Sequence, residues 1–119
     1  MTVARHASLA AGRWRTMTLS EQLGNVGSEV YRTLRRYEAR EDAGFQLAFE
    51  RALELLDLTI ADPRWKTGRH ELTRTREVVC DFFVGGNRYR SEPKALRAYF
   101  DGFALAARNR ASNPQIAAT

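Results

Sequence analysis

Arginine side chains are the residues of this chain whose type and number point most clearly to chemistry. Of the 19 basic residues, 17 are arginine and two are lysine, and the net charge is +5. The planar guanidinium group donates paired hydrogen bonds to phosphate or carboxylate groups, which the ammonium group of lysine does not do. This bias favours an anionic partner, although a GC-rich gene would produce the same excess of arginine codons.

Eight of these basic residues form groups along the sequence. Three arginines recur at every fourth position, two arginines flank a tyrosine, and three further cations lie to one side of a late helix. An aromatic ring between cations can stack on a base or a ribose. The pattern predicts a nucleic-acid-binding surface, and a merely solvated basic face is the alternative. The predicted nucleic-acid-binding residues are Arg32, Arg36, Arg40, Arg88, Tyr89, Arg90, Lys94, Arg97 and Arg108.

The negative charge is concentrated in one segment. Residues 41–62 contain six acidic residues and the single basic residue Arg51, so this segment carries −5 and the rest of the chain carries +10. Arg76 interrupts an apolar stripe, and a buried guanidinium group needs a partner because an unpaired interior charge costs several kcal/mol. Glu54 and Asp57 are the expected partners, in an ion pair within or between subunits. A direct contact of Arg76 with RNA is the alternative.

Residues suited to metal binding or to nucleophilic catalysis are few. The chain has two histidines, His6 and His70, and one cysteine, Cys80. They do not have the spacing of zinc ligands, and the Glu-x-x-His motifs of a two-metal carboxylate site are missing from the sequence. The glycine pair Gly85–Gly86 lacks the spacing and the lysine of a phosphate-binding loop. We therefore predict that the protein is not an enzyme and has no catalytic residues, metal site or cofactor.

One pair of residues suggests a competing function. Arg64 and His70 resemble the Arg-x(4–6)-His signature of the small helical HEPN ribonucleases. In that family the signature lies in a late helix, whereas here it falls at the junction of two predicted helices. A HEPN-like ribonuclease is thus an alternative function, and an ordinary surface loop is the other explanation of the pair.

The elements that position these residues follow from the spacing of the apolar side chains. Apolar residues recur every three or four positions in four segments, which is the pattern of amphipathic helices. Four such helices with short connections predict an all-α fold, an antiparallel four-helix bundle. The predicted helices span residues 17–39, the stretch from a cap at Asp42 to a stop at Asp62–Pro63, residues 67–84 and residues 91–110.

The predicted domain organisation is simple. We expect a flexible basic arm at residues 1–16, the bundle at residues 17–110 and a disordered tail at residues 111–119. Cys80 lies among apolar residues, which favours a buried thiol in a reducing, cytoplasmic compartment. Apolar runs of the length that a membrane helix needs, roughly 18 to 20 residues, do not occur.

Three local signals refine the predicted helices. Thr18 and Glu21 have the spacing of a capping box, in which each side chain accepts a hydrogen bond from a free amide of the first turn. Asp42 has the residue type of a cap for the second helix. Gly24 and Gly27 lower helix propensity, so we expect them to permit the close approach of a neighbouring helix.

The second helix carries apolar residues on two faces. Leu47 and Leu58 project about 200° away from Phe45 at 100° per residue. A monomeric bundle would not need such a second apolar face, so we predict a homo-oligomer. The predicted interface residues are Leu47, Glu54, Leu58 and Arg76.

Four stretches of the sequence carry a family resemblance: Trp14-x-x-Met17-Thr18-Leu19-x-Glu21-Gln22-Leu23, Asn25–Val30, Arg51–Thr59 and Arg76–Phe83. They resemble small bacterial four-helix proteins related to the accessory variability determinant of diversity-generating retroelements. The related proteins encoded within 23S rRNA intervening sequences share that fold. One variant of the accessory family is marked by Met-Ser-Leu near its start, where this chain has Met-Thr-Leu.

The resemblance implies a basic bundle that assembles into a ring, commonly a pentamer, and binds both a reverse transcriptase and its template RNA. Our leading hypothesis is therefore a non-catalytic accessory protein that binds RNA or cDNA and a reverse transcriptase, and so supports template-primed reverse transcription. An oligomeric scaffold without nucleic-acid binding is a further alternative beside the ribonuclease.

Overall fold

Four long helices form the protein, as the apolar periodicity predicts. The computed structural model describes residues 12–112, and within that range it is helical and contains no strand. The helices are α1 (Leu19–Glu38), α2 (Asp42–Ile60), α3 (Arg69–Val84) and α4 (Pro93–Ser112), with a single 3-10 turn (Pro63–Trp65) between α2 and α3. The all-α class is confirmed, and the arrangement is compatible with a helical bundle.

The start of α1 confirms the predicted capping box. The Thr18 hydroxyl accepts a hydrogen bond from the Glu21 amide at 3.1 Å, and the Glu21 carboxylate accepts one from the Thr18 amide at 2.8 Å. Two amides that lack a partner within the first turn are thereby satisfied. The hydroxyl of threonine thus positions the start of α1.

The predicted cap at Asp42 is wrong. Glu41 occupies the cap position of α2 and makes no side-chain capping hydrogen bond, and Asp42 is the first residue of the helix. The Glu41 carboxylate instead pairs with Arg36, which lies near the end of α1. Asp42 still stabilises the start of the helix, because its negative charge lies at the positive end of the helix dipole.

The predicted boundary of the N-terminal arm is displaced. Trp14 is only 5% exposed and belongs to the core, and its indole N–H donates a 2.9 Å hydrogen bond to the Thr59 hydroxyl on α2. The packed part of the protein therefore begins before residue 17. The remainder of the predicted arm, residues 1–11, and residues 113–119 of the predicted tail lie outside the described residues.

The core is built around α1, which packs most extensively against α2 and α4, whereas α3 packs on α2. Each helix buries the apolar stripe that its periodicity predicts. The buried apolar residues are Leu23, Val26, Val30 and Leu34 of α1, Ala48, Phe49, Ala52, Leu55 and Leu56 of α2, Leu72, Val79 and Phe83 of α3, and Leu96 and Phe100 of α4. Burial of this size is the main favourable contribution to folding.

The crossing of α1 and α4 depends on two glycines. A Cβ atom on Gly27 would lie 2.5 Å from Cβ of Phe100, and one on Gly24 would lie 3.2 Å from Cα of Ala104. The first distance is far below carbon–carbon contact, so only glycine fits at position 27 without a shift of α4. The expected role of these glycines, close approach of a neighbouring helix, is confirmed.

A cluster of aromatic rings joins three helix ends near the C-terminal end of α1. Tyr37 of α1 contacts Phe45 of α2 at 5.7 Å and Phe83 of α3 at 5.6 Å between ring centroids. Phe82 and Phe83 are perpendicular to each other at 5.0 Å. Such tilted contacts suit the charge distribution of aromatic rings. The cluster brings the end of α1, the start of α2 and the end of α3 together.

Substitution of Gly27 by alanine should destabilise the protein by about 1–2 kcal/mol, because the new methyl group overlaps Phe100 and overpacking outweighs the gain in helix propensity. The matched control is Gly102→Ala on α4, where a Cβ meets nothing within 4 Å. That variant should be about 0.5–1 kcal/mol more stable than the parent. Urea unfolding followed by circular dichroism measures both changes, and equal effects of the two substitutions would contradict the close approach.

Candidate nucleic-acid interface

A concave feature of the surface lies between α1 and α4, and we call it the α1–α4 groove. Its volume is about 510 Å³. Gly24 and Gly27 form part of its lining, so the groove is located where these small residues let the two helices approach. The polar lining consists of Ser28, Tyr31, Arg32, Arg35 and Arg36 of α1 and Asp101 of α4, together with Glu41.

Tyr31 is the exposed aromatic residue in the lining of this groove. It is 45% exposed, and the guanidinium carbon of Arg97 lies 4.7 Å from its centroid. The guanidinium carbon of Arg35 lies 6.0 Å from the same centroid. Cations this close to a ring are attracted by its negative face. Arg97 also lies 3.5 Å from the Glu38 carboxylate, which ties the N-terminal half of α4 to the end of α1.

The three arginines of the groove differ in their partners. Arg32 pairs with Glu29 at 2.9 Å, and Arg36 pairs with Glu41. The arginine side chains of both pairs are about half exposed, and ion pairs of this kind contribute about 0–1 kcal/mol because water and salt screen them. Arg35 makes no ion pair with any residue of the described range 12–112. An anionic ligand would therefore find guanidinium groups that are weakly held.

The predicted stripe of Arg32, Arg36 and Arg40 on one helix face is wrong for Arg40. Helix α1 ends at Glu38, and Arg40 lies beyond it with φ = 57°, in the left-handed region. The chain reverses at this point to enter α2, so the helical spacing does not continue to residue 40. Arg35 and Tyr31 were not predicted as site residues, although their separation of four positions places them on one face of α1.

The loop between α3 and α4 holds its predicted residues in a defined shape. The Asp81 carboxylate accepts hydrogen bonds from the Arg88 amide at 2.8 Å and the Tyr89 amide at 3.0 Å. Gly86 and Arg90 have positive φ angles of 82° and 53°. Both arginines and Tyr89 are exposed. The loop leads into α4, four residues before Arg97, so it lies toward the same end of α4 as the arginine–tyrosine contacts.

The three predicted cations of α4 do not form one cluster. Lys94 is exposed on the first turn, and Arg97 is half-buried beside Tyr31. Arg108 is exposed eleven positions after Arg97, about 16 Å further along the helix at 1.5 Å per residue. The structure thus gathers Arg97 with Tyr31 and Arg35 and leaves Arg108 near the other end of α4.

The predicted oligomer-interface residues have different environments. Leu47 is 70% exposed, as its position on a second face predicts. Leu58 is half-buried and packs against the core of its own chain, so its predicted outward orientation is wrong. Near its C-terminal end, α2 is partly buried on more than one face, and Leu58 lies on one of these faces. Glu54 is also half-buried.

Arg76 finds its partner within the chain. Its Nε donates a 2.7 Å hydrogen bond to the Asp57 carboxylate on α2, whereas Glu54, the other expected partner, does not bond to it. The guanidinium group is half-exposed, not buried as the apolar stripe predicts. Cys80 is likewise half-buried, 3.8 Å from Arg76 Nη1, and burial raises the pKa of its thiol. The thiol therefore stays protonated at neutral pH.

The candidate ribonuclease residue Arg64 takes part in a buried polar network. Its guanidinium group donates to the Asp62 carboxylate at 2.7 Å and to the Met17 carbonyl at 2.8 Å. The same group lies 4.4 Å from the Trp65 ring centroid. His70 is exposed. These contacts give Arg64 a structural role, because its Nε and Nη2 groups are bonded to Asp62 and to the backbone.

Gln22 completes this network and connects it to the N-terminal segment. Its amide N–H group donates to the Asp62 carboxylate at 3.1 Å and to the Trp14 carbonyl at 2.8 Å, and its carbonyl accepts from the Trp65 indole at 2.8 Å. Asp62 is only 1% exposed. The hydrogen bond from Arg64, helped by the one from Gln22, holds the pKa of Asp62 well below its ordinary value of 3.8.

Groups that could hold a metal ion are not found in residues 12–112, since no three His, Cys, Asp or Glu side chains there cluster suitably. His6 lies outside the described residues. Within the same range, none of the helices combines the length and the apolar character needed to cross a membrane.

The fold and the groove define an all-α protein of four long helices with an arginine-lined groove between the first and the last. Comparisons with models of protein families, with curated proteins and with solved structures find no match to the chain.

Acid should selectively weaken the Asp62 network. Because the folded-state pKa of Asp62 is depressed, its stabilising effect is complete above its ordinary pKa of 3.8 and is lost as the pH falls toward the folded-state value. Asp62→Asn should therefore be less stable than the parent by about 2 kcal/mol at neutral pH, and the difference should narrow toward about pH 2. Urea unfolding at several pH values measures the difference in free energy of unfolding between the two proteins. A difference in free energy of unfolding that stays constant with pH would contradict the depressed pKa of Asp62.

Proposed function

We propose that the protein is a non-catalytic accessory protein that binds RNA, or the cDNA copied from it, together with a reverse transcriptase of a diversity-generating retroelement. The observation that carries the RNA part of this proposal is the α1–α4 groove with its wall of Arg32, Arg35 and Arg36 beside Tyr31. Arginine groups that project into one groove match the phosphates of a nucleic-acid strand, which the protein would bind by displacing counterions.

The charge distribution supports the same interpretation. The segment 41–62 carries −5, while α4 carries +3 and the loop before it carries +1. Helix α1 is neutral overall, with three arginines and three glutamates. Arg88, Tyr89 and Arg90 extend the basic surface beyond the groove, because their loop leads directly into α4. A nucleic-acid strand longer than the groove would find further cations there.

The reverse transcriptase as partner rests on the family resemblance of the stretches at 14–23, 25–30, 51–59 and 76–83. The resemblance also supports an antiparallel bundle that assembles into a ring. The pairs Gly24–Ala104, Gly27–Phe100 and Glu38–Arg97 agree with an antiparallel course of α1 and α4, because the residue numbers fall on one helix as they rise on the other. The 70% exposed Leu47 is the residue most suited to an interface between copies.

Removal of the groove arginines should weaken RNA binding more than an equal loss of charge elsewhere. The test variant replaces Arg32, Arg35 and Arg36 by glutamine, and the control replaces the exposed residues Arg51, Lys66 and Arg74 by glutamine. Glutamine is chosen because a reversed charge would repel Glu29 and Glu41 and disturb the fold.

The measurement is fluorescence anisotropy with a labelled single-stranded RNA over a range of salt concentrations. For the groove variant, the slope of log K against log salt should decrease in magnitude by about 2, as expected for three lost phosphate contacts at about 0.7 each. The control should retain nearly the parental slope. Equal losses in the two variants would mean that net charge alone drives binding, and a parent that does not bind RNA would favour a plain scaffold.

Leu47→Glu should shift the protein toward smaller assemblies, because a charge at the centre of an apolar contact is costly to bury. Analytical ultracentrifugation or light scattering at micromolar concentration measures the mass against the 13.5 kDa chain. Gln46→Glu, at the exposed neighbouring position, is the matched control and should keep the parental mass. A parent protein that sediments as a monomer would exclude the ring.

A further inference from the structure

We propose that the α1–α4 groove binds one unpaired nucleotide of the RNA strand, with its base against Tyr31 and its amino edge toward Asp101. This inference rests on the proposed function, and it names the form of RNA that the protein recognises. It combines three observations: the size of the groove, the aromatic ring between cations, and a carboxylate that a pure phosphate site would not contain.

The size of the groove suits one nucleotide. Its volume of about 510 Å³ falls within the range of about 300–1,000 Å³ that is usual for small-ligand sites. The bases of an RNA duplex are stacked and paired inside the helix and cannot enter a groove between two protein helices, whereas an unpaired base can be turned outward. The geometry thus favours single-stranded RNA.

The Tyr31 ring offers the stacking surface. It is nearly half exposed and lines the groove, with Arg35 and Arg97 beside it. A base can stack on an aromatic ring or on the plane of a guanidinium group. Both surfaces are present here, because the guanidinium carbons of Arg35 and Arg97 lie within 6.0 Å of the centroid of the Tyr31 ring. The arginine side chains on the same helix can then contact the phosphate that is attached to the bound nucleotide.

Asp101 supplies selectivity for the base. It lies in the lining that α4 contributes to the groove, it is exposed, and it forms no ion pair with any residue of the described part of the chain. A carboxylate repels phosphate but accepts hydrogen bonds from an amino group such as N4 of cytosine. Uracil carries a carbonyl oxygen in place of that amino group. Asp101 therefore favours cytosine over uracil.

The first experiment compares labelled oligocytidine, oligouridine and a blunt RNA duplex of equal length by fluorescence anisotropy. Oligocytidine should bind about tenfold more tightly than oligouridine, and the duplex should bind more weakly than oligocytidine. Asp101→Asn should abolish the difference between the two oligonucleotides, since the asparagine amide can turn to donate or accept. An unchanged preference in this variant would overturn the role of Asp101.

The second experiment tests entry of the base into the groove. Tyr31→Leu should lower the affinity for oligocytidine about tenfold, and Tyr31→Phe should retain it because the ring is kept. Ser28→Trp fills the groove without a change of charge and should also lower the affinity. Thr73→Trp, at an exposed position of α3, is the control and should have no effect. Circular dichroism verifies that each variant is folded.

The outcomes separate this inference from the proposed function. If the arginine variant loses RNA binding while Tyr31→Leu and Ser28→Trp retain it, the groove takes no base and the inference fails, but RNA binding stands. If the parent protein binds no RNA, both fail. Cytidine monophosphate at micromolar concentration should not displace oligocytidine, and full displacement would mean that the ligand is a free nucleotide and not a strand.

Discussion

The close approach of α1 and α4 at Gly27 is the constraint on which the candidate site depends. A side chain at this position would overlap Phe100, so the absence of a Cβ atom decides how near the two helices can lie. The groove lies along this contact, and larger residues of α1 also line it. Tyr31 and the neighbouring arginines line this groove only because α4 forms its other wall. The glycines of α1 thereby form part of a concave surface that also carries arginine side chains.

A second constraint lies at the N-terminal end of α1, where the Asp62 network holds the helix. The carboxylate of Asp62 is almost completely buried, and it is satisfied by Arg64 and Gln22, which in turn bind the backbone at Met17 and Trp14. A buried charge is tolerated in a protein when its hydrogen bonds are complete. The network therefore connects the segment before α1, the helix itself and the 3-10 turn after α2.

The distribution of partners explains why the basic groups differ in availability. Arg64 is bound to the buried carboxylate of Asp62, and Arg76 joins α3 to α2 through Asp57, so both arginines have partners within the fold. The side chains of Arg32 and Arg36 are themselves about half exposed, and Arg35 has an aromatic contact and no ion pair within residues 12–112, so an anionic ligand can reach these groups at low cost. Sequence counting treats all 17 arginines as equal, whereas the fold divides them into structural and exposed groups.

Local patterns in the sequence determined the four helices, the capping box of Thr18 and Glu21, the buried stripes and the role of Gly24 and Gly27. These features depend on residues within one or two helical turns of each other, so spacing and residue type suffice to predict them. Only the tertiary structure decided that Arg97 of α4 contacts Tyr31 of α1 and that Asp101 lines the same groove as Tyr31. It also decided that Arg40 lies outside its helix and that Leu58 packs inward. The physical reason is that helical periodicity identifies the faces of each helix but contains no information on which faces of distant helices come into contact.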